Sequence, residues 1–277
     1  MFMQPLVLCF LIALSRGVVI TDNVWVYGRD RAMHVLQTGD VVTITSYDSD
    51  MVQIEYENAP YRVLKDVLID FDSEIGLEKL FVFARGYFDE REFRKAARLF
   101  DVFTTHFDTS VYYAEALYYC GLAYEEIART CSMRDTMPEM VYSEYLKQWV
   151  YTGKAYATLT EQLPESFYTP KAQYRLLCIQ RMRHPPWQDS AVAVETERSQ
   201  WLEFAARYPH TDEYVLALLE AAYLSRVLYE MSGRTDDKNT AVRLYNLILS
   251  EFPETVAAAQ ARLYIFEIEN EERIYKY

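Results

Sequence analysis

Four short segments of this chain can be laid over one another, and that repeat restricts the fold more than any other feature. They are Phe107-Asp108-Thr109-Ser110, Leu163-Pro164-Glu165-Ser166, Tyr208-Pro209-His210-Thr211 and Phe252-Pro253-Glu254-Thr255. With Asp108, Pro164, Pro209 and Pro253 as origin, the residue eight earlier is always aromatic: Phe100, Tyr156, Trp201 and Tyr245. Five earlier stand the large apolar Phe103, Leu159, Phe204 and Ile248. Two later come Ser110, Ser166, Thr211 and Thr255, and eight later Ala116, Ala172, Ala217 and Ala261.

Each column has a physical reading. An aromatic residue and an apolar one three positions on share one face of a helix. Proline at the origin ends that helix and forces the residue before it out of the α region. Ser or Thr then accepts the open N–H groups of the next helix, and alanine lets that helix approach a neighbour closely. Each unit therefore reads as helix, tight turn, helix. Only 8 Gly and 9 Pro in 277 residues leave room for long helices.

The helical pattern resembles the TPR family. Gly86-Tyr87-Phe88-Asp89-Glu90-Arg91-Glu92-Phe93-Arg94-Lys95-Ala96-Ala97-Arg98-Leu99-Phe100 looks like the turn and second helix of a TPR unit, with Ala96 and Phe100 at its small and aromatic positions. Over residues 75–277 the layout is similar to exported bacterial Sel/TPR-type envelope proteins, among them the outer-membrane assembly lipoproteins and the Tol–Pal coordinators. Origins 56, 45 and 44 residues apart exceed the TPR spacing of about 34. Longer helices or outer loops are expected, with a loop near Thr130–Pro138.

Residues 18–72 differ. Five β-branched and aromatic runs, Val18–Ile20, Val24–Tyr27, Val41–Thr45, Met51–Tyr56 and Tyr61–Leu64, alternate with turn clusters such as Thr38-Gly39-Asp40 and Tyr47-Asp48-Ser49-Asp50. Five short strands at this spacing predict a small barrel. Asp22-Asn23-Val24-Trp25-Val26, Gln37-Thr38-Gly39-Asp40-Val41-Val42 and Met51-Val52-Gln53-Ile54-Glu55-Tyr56 resemble, in that order, the first strand, Gly-Asp turn and following strand of bacterial SH3-like (SH3b) domains. Met51 stands where that family has Trp. The resemblance implies an SH3-like barrel.

At the start, Pro5–Leu14 is an apolar run followed by Ser15-Arg16-Gly17, which predicts a signal peptide cleaved after Gly17. The run is shorter than the roughly 20 residues a membrane span needs. The expected organisation is thus α+β and multidomain: 1–17 signal peptide, 18–72 SH3-like β-barrel, 73–277 an all-α right-handed TPR-like solenoid. The expected location is the periplasm or cell envelope.

Chemistry is sparse. His34, His106, His184 and His210 form no metal-binding spacing, and no nucleophile elbow or phosphate loop is present. Cys120, Cys131 and Cys178 lack the spacing of a zinc site or disulfide scaffold, so Cys120 and Cys178 read as buried small hydrophobes. Glu125-Glu126, Glu195 with Glu197, and Glu269 with Glu271-Glu272 read as solvated helix faces. No catalytic residue, metal or cofactor is assigned, and the chain reads as non-enzymatic. The net charge of −13 argues against nucleic acid as partner.

The 24 tyrosines are the remaining signal. Tyr112, Tyr113, Tyr118, Tyr119 and Tyr124 are expected on one helix, and Tyr142, Tyr145, Tyr151 and Tyr156 on the next. Core packing is one reading. The other is an aromatic groove, with Tyr112, Tyr113, Tyr119, Tyr142 and Tyr145 as candidate partner-binding residues and Met133, Met137 and Met140 as adaptable contacts. The expected function is a protein-interaction scaffold of the bacterial envelope that binds a peptide or protein on the solenoid groove, with peripheral attachment to a membrane complex or self-association compatible with it. The alternative is a carrier or sensor of a small apolar ligand in a Tyr-lined cavity.

Overall fold

The computed structural model describes residues 14–27, 33–73, 75–132 and 139–274. A β-rich region is followed by nine helices among these residues. The chain divides into two compact units, Met1–Tyr124 and Glu125–Tyr277. The division falls inside a helix, and not where the β-rich region ends.

The first unit opens with seven strands, β1 Ser15–Val19, β2 Val24–Tyr27, β3 Met33–Leu36, β4 Val41–Tyr47, β5 Met51–Tyr56, β6 Ala59–Leu64 and β7 Leu68–Asp70. Two of them, β3 and β7, are additional to the five runs expected. All pairings are antiparallel, in the order β3-β2-β6-β5-β4-β1-β7. Val19, Val26, Leu36, Val42, Ile44, Val52, Ile54 and Val63 form the core of this sheet, which is the alternation of period two put to use.

Strand β1 bears on the proposed cleavage site. Ser15, Arg16 and Gly17 pair with Ile44, Thr43 and Val42 of β4, and Gly17 also faces Asp70 of β7. Cleavage after Gly17 would take three paired residues out of the sheet. The apolar run up to Ala13 lies outside the described residues, as do Met133 and Met137.

Three helices complete the unit: α1 Gly76–Asp89, α2 Phe93–His106 and α3 Tyr113–Thr130, the last running on past the division. The sheet is fastened to α1 and α2. The Tyr87 hydroxyl donates to Ile20 O at 2.6 Å. Arg16 pairs with Asp72 at 2.7 Å and lies over the Phe71 ring, which stacks on His106 at 5.3 Å.

In the second unit a hairpin, β8 Met140–Ser143 and β9 Gln148–Tyr151, comes before α4 Lys154–Gln162, α5 Thr169–Arg183, α6 Ala191–Arg207, α7 Asp212–Ser232, α8 Thr235–Glu251 and α9 Val256–Glu269. The hairpin corrects the helix expected over Tyr142–Tyr151. Met140, Tyr142, Trp149 and Tyr151 alternate with their neighbours across the pair, and Lys147 takes positive φ, 53°, in the turn. Helix α7 packs on both α6 and α8, with further contacts to α5 and α9.

The repeat is physical. The residues before the four origins, Phe107, Leu163, Tyr208 and Phe252, end their helices with φ between −133° and −126° and ψ between 47° and 57°. Each amide still donates back to the apolar column, to Phe103, Leu159, Phe204 and Ile248 O. The aromatic column and the alanine column are fully buried throughout, at 0% exposure. The Ser/Thr column is less uniform than expected. Thr255 Oγ1 accepts from the Ala258 amide as a helix cap, and Ser110 and Ser166 accept from the amides two residues on. Thr211 instead donates to Tyr208 O.

Candidate functional site

A hollow with a volume of about 600 Å³ lies in the first unit between the sheet and α1. Ile20, Ile44, Val52, Leu68 and Ile69 form its wall on the sheet side, and Ile75 and Phe83 on the helix side. Ile75, Lys79 and Phe83 recur every four residues and so run along one face of α1. The polar rim consists of Tyr47, Lys65, Asp66, Asp70, Ser73 and Lys79.

Tyr47 reaches this hollow because of a β-bulge. Ile44 pairs with Ile54, but the register then shifts so that Ser46 faces Gln53 and Tyr47 faces Val52. One extra residue exchanges the two faces of a strand. Tyr47 therefore joins Ile44 and Val52 on the inner face, where unbroken alternation would have put Ser46. Its hydroxyl donates to Asp70 Oδ2, and Ser15 donates to Asp70 Oδ1. Tyr47 is itself about half exposed, and partial desolvation, then the bond to Asp70, holds its phenol above its ordinary pKa. It stays a neutral donor, and the Lys65 ammonium sits 5.7 Å from its ring centre. An apolar wall with a few polar groups at the mouth fits a small amphiphilic ligand.

The structure separates the sequence-derived candidates. Tyr113 and Tyr119 lie on α3 and Tyr112 in the turn just before it, all three packed into the first unit. Tyr112 stacks on Phe81 at 4.6 Å, and Tyr113 is buried. Tyr119 holds the Arg85 guanidinium 3.5 Å above its ring and touches Phe88 and Phe100. In the second unit, Tyr142 meets Trp149 edge-on within the hairpin, and the exposed Tyr145 meets Trp187. Sequence reasoning missed Tyr47, since it assigned Tyr47 to a turn cluster.

Two carboxylates are not on the solvated faces expected of them. Glu125 is buried, and accepts from the Tyr156 hydroxyl at 2.7 Å and from Arg175 at 3.5 Å. Glu197 is buried on α6, and burial pushes its carboxyl above the usual range. Burial also pushes the Cys178 thiol up, which makes it a poor nucleophile. Among the described residues no three His, Cys, Asp or Glu side chains are placed to hold a metal ion, and no helix is long and apolar enough to cross a membrane.

No protein-family model matches this chain, and no curated protein is similar enough to count as a relative.

Proposed function

We propose that the chain is a non-catalytic binding protein of the bacterial cell envelope, in which a right-handed TPR-like helix array presents an extended surface to a peptide or protein. One observation carries this reading. The same helix-ending turn occurs four times, with fully buried aromatic and alanine columns on either side. Arrays of stacked helix pairs expose long surfaces suited to peptides and helices. The SH3-like character of the β-rich region, on the residues quoted for it, and export by a leader cleaved ahead of β1 rather than after Gly17 belong to the same proposal.

A photo-crosslinking amino acid placed at exposed Tyr145 or Phe167, in the source organism, tests the scaffold role. A discrete crosslinked partner of envelope origin is the expected result. Crosslinks to none, or to an indiscriminate smear, would remove the scaffold reading.

A second reading rests on the hollow beneath Tyr47, whose size lies within the roughly 300–1,000 Å³ of ligand sites. Here the chain carries a small apolar molecule with one polar end. Native mass spectrometry of the purified chain should then show a bound mass, lost when Ile75→Trp narrows the mouth.

A further inference from the structure

Helix α9 presents an apolar face to solvent at positions where earlier helices of the repeat are covered. With Pro164, Pro209 and Pro253 in register, Leu263 and Phe266 of α9 correspond to Leu219 and Ala222 of α7, and to Tyr174 and Leu177 of α5. Leu219 and Ala222 are buried, at 7% and 0% exposure. Tyr174 packs on Trp201 and Phe204 of the following helix, with ring centres 5.5 and 6.2 Å apart. On α9, Leu263 and Phe266 are 53% and 56% exposed. The repeat thus keeps apolar residues on α9 where α5 seats its next helix.

The described residues after α9 do not cover this face. Glu272 O accepts from Arg226 Nη2 at 2.8 Å, and the Ile274 amide donates to the Glu230 carboxylate at 2.9 Å, which carries the chain towards α7.

The exposed stripe is Ala259, Arg262, Leu263, Phe266, Glu269 and Asn270, spaced by three and four along one side of the helix. It is complementary to itself when reversed. In an antiparallel pair of α9 helices, Leu263 of one copy meets Phe266 of the other. Ala259 then faces Asn270, small enough for close approach, and Arg262 lies beside Glu269. Each of these pairs occurs twice about the two-fold axis, as an isologous contact requires.

We propose that α9 is a self-association face on which a second copy of this chain docks its own α9 antiparallel. The contact is one helix of 14 residues, about 21 Å long, so the dimer is weak and concentration-dependent.

Sedimentation equilibrium of the full chain over a concentration series tests this. The wild type should pass from monomer to dimer, and Leu263→Glu/Phe266→Glu should stay monomeric with an unchanged far-UV spectrum. Arg262→Glu places like charges side by side and should weaken the dimer about tenfold or more. Arg262→Glu/Glu269→Arg restores opposite charges in the antiparallel register and should recover the dimer. A wild type that is monomeric throughout overturns the proposal, even if α9 captures a helix of another protein. A dimer indifferent to Leu263→Glu/Phe266→Glu overturns it too, and failure of the charge exchange to rescue overturns the antiparallel register.

Discussion

The Trp201 indole N–H donates to Glu197 Oε1 across 3.3 Å, one turn apart on α6, with both side chains buried. The helix thus supplies from within itself the partner that a buried indole needs. The carboxylate is the costly member of the pair, because burial disfavours its charged form. A folded-state pKa raised above the unfolded value gives stability that is complete below the unfolded value, about 4.5. That stability is lost as pH rises through the folded one. Glu197→Gln keeps an acceptor for Trp201 and removes the charge. Its stability relative to wild type, from denaturant melts across a pH series, should be near zero at acid pH and increasingly favourable towards neutrality. A difference independent of pH would mean that Glu197 is charged at no cost.

Other members of the aromatic column handle their polar atoms differently. The Tyr156 hydroxyl donates to buried Glu125, whereas the Tyr245 hydroxyl is buried with no hydrogen-bond partner among the described residues. Removing a hydroxyl has opposite consequences in these two settings. Tyr156→Phe strips a donor from a buried carboxylate, and should cost about 1–3 kcal/mol. Tyr245→Phe relieves an unsatisfied group at constant shape, and should be neutral or stabilising. Thermal melts of the two variants decide it, and equal losses would contradict the stated environments.

These columns were legible in the sequence because each repeat contributes one residue to each, and every burial was readable from spacing alone. The hairpin was not. Its strands hold four residues apiece, too few to separate a period of two from the period of a helix. Tyr47 was hidden for another reason. Its place beside the hollow depends on the bulge between Ile44 and Ser46, which exists only relative to the partner strand. The burial of Glu125 likewise depends on Tyr156 and Arg175, found by the fold and not by adjacency. Four helix-ending turns could thus be found from the sequence, while the site against the sheet could not.

Strand β1 makes a prediction about the leader. A chain starting at Val18 lacks the Ser15–Asp70 bond, the Arg16–Asp72 pair and three residues of pairing with β4. A chain starting at Leu14 keeps them all. The shorter form should melt several degrees lower, since about 1 kcal/mol shifts the midpoint by roughly 2–4 °C at this size. Sequencing of the mature amino terminus should accordingly place any cleavage at or before Leu14. A mature terminus at Val18 with full stability would show that those pairings contribute little.

Gly76 and Gly86 both lie in α1, and the same substitution should have opposite signs at the two. Alanine in place of a helical glycine ordinarily stabilises by about 0.5–1 kcal/mol, by reducing the freedom of the unfolded chain. At Gly86 a Cβ would meet nothing within 4 Å, so Gly86→Ala should show that gain. At Gly76 a Cβ would lie 2.2 Å from Asp70 O and 2.5 Å from Phe71 Cα. Both are backbone atoms, where β7 runs out close against the start of α1, so no side chain can swing aside. The helix would have to move off the strand, at a cost comparable to the roughly 1–3 kcal/mol of core overpacking. The shift would also pull Ile75 and Lys79 away from Ile69 and Asp70, which line the same hollow. Equilibrium unfolding of both variants gives the signs, with Gly86→Ala reporting whether α1 is helical at all. A stabilising Gly76→Ala would mean that β7 and α1 are not in contact, and the hollow between sheet and helix would lose its floor.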